Sequence, residues 1–481
     1  MAYSRRPSLP AINLKSMSNS SLDAAGIGGA FGARGGRCRT ATMAQTPLTM
    51  PVAVFRIALL LSLIWSLTIP AALSQQAAPA DTIRVVNLQD LLNTVRADNP
   101  SLQASRIRVE ALGQRRRQVS ALPDPKVMFT YQPFPVVTAR GTQRTQFRVE
   151  QMIPFPGKLG LKGEIADLTA SVAGYQTDAF AQDLELQVKQ AYYDLYRIHR
   201  QTGLIRDFQD KMRDFESVAT TQYEVGRGMQ QSILKAQVER NTLEKQALDL
   251  SRQERTAAET LGRLLNHPVA LPEAAVPVEV SPIPDQPLDT LMQVALRRRP
   301  EAGALESAAI RADTGIALAR KAFMPDFGVN FTYFDIGAAD VPPSADGRNA
   351  LALGVAIQVP IQRGRLHAGL EEAQLRRRQV DAQQEALETS FRTRIADMLS
   401  RMEQESEQLS LYREALIPQA ETTLETTLSA YTTGRTDFLN LLDAERMLFM
   451  LRMGYEDTLV RYLKDTAALE RTLGLETLAG L

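Results

Sequence analysis

The chain has 481 residues, 44% hydrophobic and 23% charged, with only 6% aromatic residues and a formal net charge of +1. Hydrophobic content of this order belongs to folded protein, and the balanced charge lacks the basic surplus that marks a nucleic-acid binder. Few aromatics among abundant Ala, Leu, Gln, Glu and Arg favour long helices with a narrow apolar stripe over a thick globular core.

Residues 1–74 read as a separate leader. Met1 to about Met50 is rich in Gly, Ser, Ala and Arg without periodicity, which predicts disorder or an extension upstream of a start at Met43 or Met50. Arg56, the apolar run Ile57–Ile69 and Pro70-Ala71-Ala72-Leu73-Ser74 then fit a secretory signal peptide cleaved near Ser74/Gln75. The apolar run is short of the ~20 residues of a membrane-spanning helix. The leader contains Cys38 and Trp65, so the remainder has neither a disulfide nor a thiol ligand to offer. It also holds seven of the 55 Lys and Arg and one of the 54 Asp and Glu, leaving 48 against 53, a net charge of −5.

The remainder is written twice. Leu88–Pro100 reappears as Leu288–Pro300, Leu122-Pro123-Asp124 as Met324-Pro325-Asp326, and Ile153-Pro154 with Gly157-Lys158 as Val359-Pro360 with Gly364-Arg365. Tyr223-Glu224-Val225-Gly226-Arg227 matches Tyr431-Thr432-Thr433-Gly434-Arg435, and Thr260-Leu261-Gly262 matches Thr472-Leu473-Gly474. Landmarks repeated in one order predict duplicated repeats at 82–266 and 288–478, joined by a Pro-rich connector at 267–287.

Each repeat predicts the same order. A helix (Leu88–Ala121; Leu288–Phe323) ends before prolines. Two strand-like segments follow: Val127–Gln132 and Thr145–Ile153 in the first repeat, and in the second the alternating runs Phe327–Tyr333 and Leu351–Val359. A long heptad-patterned helix comes next (Gly160–Gln222; Arg365–Thr433), then a Gly turn and a return helix (Ile233–Asn266; Phe438–Gly474). The stripe includes Leu184, Val188, Ala191, Leu195, Ile198, Ile205, Met212 and Ala219. A rod of that length, ~95 Å at 1.5 Å per residue, must lie along partner helices.

Four strands cannot close a membrane barrel, which begins at about eight, and open edges in lipid cost several kcal/mol per unpaired group. Either the strands lie outside a membrane or several chains share one barrel; the residues alone leave the number of chains open.

These motifs, together with Leu441-Leu442-Asp443-Ala444 and Ile153-Pro154-Phe155-Pro156-Gly157-Lys158, resemble TolC-type outer-membrane efflux proteins over about residues 82–478, with features of the heavy-metal branch. The resemblance implies a mainly α fold with a small β part. Duplicated helical hairpins would form a trimeric α-barrel, and four strands per chain would contribute to a shared 12-stranded transmembrane β-barrel. It implies a homotrimer in the outer membrane of a Gram-negative bacterium, in contact with outer-membrane lipid and projecting far into the periplasm. Its partners would be a periplasmic adaptor and an inner-membrane transporter of the resistance-nodulation-division type. Cofactors, nucleic acid and catalysis have no place in such a passive duct for metal ions or small molecules.

The resemblance also assigns a site. Gly226, Arg227, Gly228, Gly434 and Arg435 would be adaptor-docking tips. Tyr431, Arg435 and Asp443 match the tyrosine, arginine and one ring aspartate of a periplasmic gate, while Asn440 and Ser232 stand where the family pattern has acids. One ring of three Asp443 carboxylates is then expected, in place of two. The bland alternatives are Gly supplying a positive φ to a tight turn and Asp443 solvating a helix. The triplets Arg115-Arg116-Arg117, Arg297-Arg298-Arg299 and Arg376-Arg377-Arg378 read as solvated helix faces, and His199, His267 and His367 are too isolated to predict a metal site. The competing architecture is a pore-less periplasmic coiled-coil adaptor or scaffold.

Overall fold

The computed structural model describes residues 83–84, 87–270, 278–337 and 346–480, so the expectations for the leader and for residues 271–277 of the connector lie outside the described residues. In chain order the first repeat contains β1 (Ile83–Arg84), α1 (Leu88–Asp98), α2 (Pro100–Gly113), α3 (Arg115–Val119), β2 (Lys126–Thr138), β3 (Gly141–Ile153), α4 (Lys158–Glu224) and α5 (Gln230–Leu265). After β4 (Val269–Ala270) the second repeat follows with α6 (Leu288–Arg298), α7 (Pro300–Lys321), β5 (Asp326–Gly337) and β6 (Ala350–Gln358). It ends with α8 (Arg363–Leu411), a π-helical turn (Tyr412–Leu416), α9 (Ile417–Thr432), α10 (Phe438–Leu473) and a 3₁₀ turn (Leu478–Gly480).

The single helix expected at the start of each repeat is broken, at Asn99-Pro100 and Arg299-Pro300. Proline pushes the preceding residue out of the helical region, and both Asn99 and Arg299 are extended there. The break is then used. Asn99 Oδ1 accepts from Leu102 N at 3.0 Å and caps α2, while Asn99 Nδ2 donates to Leu264 O at 2.8 Å, locking the break onto α5. In the second repeat Arg299 is buried over the Phe391 ring, with its guanidinium carbon 4.3 Å from the ring centre. That corrects the solvated reading for one member of its triplet; Arg377, bound to Asp313 and Asp381, departs from it too.

Three of the strands run past the expected limits, β6 is shifted by one residue, and all four join one antiparallel sheet in the order β2-β3-β5-β6. Alternation sorts its faces. On β5, Val329, Phe331 and Tyr333 are exposed, whereas Gly328, Thr332 and Ile336 are buried on the other face. The register stacks Val329 against Val355 and Phe331 against Leu353, so the apolar face continues across β6. β2 and β6 are edges with no further strand beside them among the described residues.

The rods carry the helical core. On α4, Ile198, Ile205, Met212 and Ala219 recur every seventh residue and are buried against Ala236, Leu243 and Leu250 of α5, also seven apart. Phe438, Leu442 and Phe449 of α10 close the same cluster, so α4 serves both hairpins. The expected long helix of the second repeat is not uniform: Pro418, which lacks an N–H, sits just after the π turn, where one helical turn widens to absorb the lost bond. Two-residue strands β1 and β4 pair in parallel, Ile83 with Val269 and Arg84 with Ala270.

Candidate functional site

The hairpin turns are built by one device used twice. Gly226 and Gly434 take φ of 73° and 72°, a conformation that costs an L side chain about 1 kcal/mol or more. Each donates its N–H to the carbonyl of the tyrosine three residues earlier, Tyr223 O and Tyr431 O, both at 3.0 Å. The next arginine closes a wider ring: Arg227 N to Gln222 O and Arg435 N to Ala430 O, each 2.8 Å. This explains the repeated Tyr-x-x-Gly-Arg spacing as a helix stop. The Arg227 and Arg435 side chains project into solvent at exposed tips.

The two hairpins are held together next to those tips by aromatic rings. Phe438, the first residue of α10, makes edge contacts with Phe215 of α4 at 6.1 Å and with Tyr431 at 6.2 Å. Phe449 stacks on Phe208 at 4.7 Å. Packing around Tyr431 pushes its phenol pKa above the ordinary value by desolvation.

Tyr431, Arg435 and Asp443 do not meet within one chain. Arg435 Nε donates to Thr433 Oγ1 at 3.0 Å. Asp443 has a side chain 72% exposed and, among the described residues, reaches only Arg446, at 3.8 Å. Asn440 is spent locally: its N–H donates to Asp437 Oδ1, the N-cap of α10, and its Nδ2 to Thr436 Oγ1, each at 3.0 Å. Ser232 lies in the first turn of α5, its N–H on Met229 O at 3.0 Å.

Sequence reasoning missed the ion pairs that tie the hairpins. Arg446 forks onto Glu239 of α5, the Nε–Oε1 arm at 3.3 Å, and that hydrogen bond holds the guanidinium above its usual pKa. Lys211 of α4 donates to the buried Glu445 at 2.6 Å. The spacing of Asp443 and Arg446, three apart on one helix, was visible; the partner two hundred residues away was not. Among the described residues no group of three or more His, Cys, Asp or Glu is arranged to hold a metal ion. His199 and His267 each face a single acid, Glu254 at 2.9 Å and Asp98 at 3.2 Å.

Comparison with known proteins supplies the context. The family described as "Outer membrane efflux protein" matches residues 291–475. The chain is 21% identical over 407 residues to the cobalt-zinc-cadmium resistance protein CzcC of Cupriavidus metallidurans, spanning 82% of this chain and 92% of that one. Among solved structures it superposes on CusC with a TM-score of 0.70 at 20% identity, covering 83% of this chain and 95% of that one. VceC of Vibrio cholerae follows at a TM-score of 0.67 and 18% identity, covering 80% and 96%. At such identities the structural likeness speaks for the fold.

Proposed function

We propose that the chain is a member of the outer membrane efflux protein family, whose model matches residues 291–475, and that three copies close one 12-stranded barrel and one helical tunnel, forming the exit duct of a tripartite pump. The protein is an outer-membrane efflux component with an elongated periplasmic helical part. The observation that carries the closed barrel is the sheet itself. It turns a continuous apolar face outward yet ends on two unpaired edges, β2 and β6, and a lipid environment tolerates the first only if the second is removed. Pairing β6 of one copy with β2 of the next removes every edge.

On this reading an inner-membrane transporter of the resistance-nodulation-division type supplies the energy, and a periplasmic adaptor docks on the exposed Gly226-Arg227-Gly228 and Gly434-Arg435 tips. The duct itself catalyses nothing. Tyr431, Arg435 and Asp443 form the gate across copies, with Asn440 and Ser232 as its neutral positions. Three Asp443 carboxylates around one axis repel each other unless a cation sits among them, so the ring both captures cations and strains toward opening. A relative named for cobalt, zinc and cadmium resistance supports divalent metal ions as cargo. A pore-less scaffold leaves the apolar sheet face without a purpose.

The test is a deletion strain, complemented with this chain and challenged with cobalt, zinc and cadmium salts, alongside fractionation. Restored tolerance and a heat-resistant trimer in the outer-membrane fraction support the reading. A soluble periplasmic monomer would sink it.

A further inference from the structure

Where the strands hand over to the rods, α4, α7 and α8 border a cleft of about 1040 Å³ closed at one end by β5 and β6. Its charges are lopsided. Lys158, Lys162, Arg311, Arg365 and Arg376 line it, against Asp326 and Glu372. Both acids are already committed. Asp326 Oδ1 accepts from Lys158 Nζ and from Phe155 N, each at 2.7 Å, and Glu372 accepts from Arg376 at 2.5 Å. Lys162, Arg311 and Arg365 have no hydrogen bond or ion pair among the described residues. Lys162 also acts on Asp326 through space, yet five cations against two acids leave a surplus of three positive charges around one concavity, which raises its potential and draws in a counter-anion. The helices add to this field, since α4 starts at Lys158 and α8 at Arg363, and neither first turn is satisfied by a side-chain cap.

Strand alternation says which way the cleft faces. Asp326 pairs with Gln358 and belongs to the face of Gly328 and Thr332, opposite the exposed Val329, Phe331 and Tyr333. In a closed barrel that polar face is the lumen side. We propose that this cleft binds a phosphate-type oxyanion, with Lys162, Arg311 and Arg365 as its ligands and the Lys158–Asp326 pair as its floor. The volume admits an organic phosphate or carboxylate as well as the inorganic ion, being at the upper end of the ~300–1,000 Å³ typical of small-molecule sites. Where the anion comes from rests on the duct reading; the binding itself does not. Three such sites would girdle the duct where it enters the barrel and favour anions there, or let a cation pass in company with one.

The experiment titrates inorganic phosphate into the purified full chain and follows 31P line broadening, for the native protein and for Lys162→Gln/Arg311→Gln/Arg365→Gln. The triple variant is expected to bind at least tenfold more weakly with unchanged helix content. Equal binding in both, or none in either, overturns the proposal. The single variants Lys162→Gln and Arg365→Gln, at exposed positions, give the same reading if the triple variant does not fold. Planar-bilayer conductance separates the two ideas: a conducting channel that binds no phosphate overturns the site and leaves the duct. Phosphate bound by a protein that never conducts supports the site and removes the duct. Phospholipid retained through detergent exchange by the native chain and lost by the variant supports the same site, filled by a headgroup in place of a soluble anion.

Discussion

Asp443 and Glu405 show how differently two acids on the same rods behave. Asp443 is solvated and held only by the long contact to Arg446, so its charge is available to an ion in the duct. Asp443→Ala is expected to relieve block of single-channel current by divalent cations, and an unchanged blocking profile would remove the ring. Glu405 on α8 is buried, with Oε2 unsatisfied. Burial first, then the nearby Asp465, push its pKa up to about 7, against the pull of Arg461 and Arg401. The native state therefore holds a proton that the unfolded chain has already released. Its contribution favours folding below the ordinary carboxylate range and is lost as pH rises toward 7. Thermal unfolding between pH 5 and 8 should show this contribution declining up to about pH 7 and levelling above it, and Glu405→Gln should flatten the decline. The Asp443–Arg446 spacing was legible in the sequence, whereas the environment of Glu405 was not, because it depends on what a second helix places opposite and a lone acid on a heptad rod carries no mark of such a partner.

At the level of elements, much more could be read in advance. The heptads of α4 announced its length and its buried stripe, since a seven-residue repeat has one physical use. Ile198, Ile205, Met212 and Ala219 are core residues as that repeat requires. Phe208, three residues after Ile205 and four before Met212, is buried with them although it was not among the expected stripe residues. The helix breaks before Pro100 and Pro300 were present as dipeptides but were overridden by the apolar spacing on either side. The tips were legible as turns, and their docking role is a prediction of a different kind. Gly226→Val or Gly434→Val forces a β-branched residue to positive φ, where nothing lies within 4 Å of an added Cβ. The cost should be confined to the turn, about 1–2 kcal/mol, so trimers should form at native yield while metal efflux fails. Efflux that survives both changes would detach docking from these glycines.

For the whole molecule, the sheet decides where the protein lives. Leu353 on β6 is 82% exposed and belongs to the face read as lipid-bound. Leu353→Arg should cost about 2–4 kcal/mol if that face sits near the bilayer midplane, and correspondingly less near its rim. Heat-resistant trimer on gels would fall, whereas a lumen-facing change such as Thr332→Ser should leave it in place. The alternation of β5 and β6 was plain in the sequence, as was the shortage of strands; the edge-to-edge partner is a property of the assembly and has no signature in one chain.

The short parallel pairing of residues 83–84 with 269–270 reaches across the entire first repeat. Contacts so far apart along a chain form slowly, because the intervening loop must close before they are rewarded. A polypeptide threaded outward from its N-terminus has both partners in hand once residue 270 has emerged, while most of the second repeat is still to come. The clasp can thus finish the first half as a unit of its own. The order of emergence then favours pairing within the older half, and gives the younger half a completed rod, α4, against which to wind.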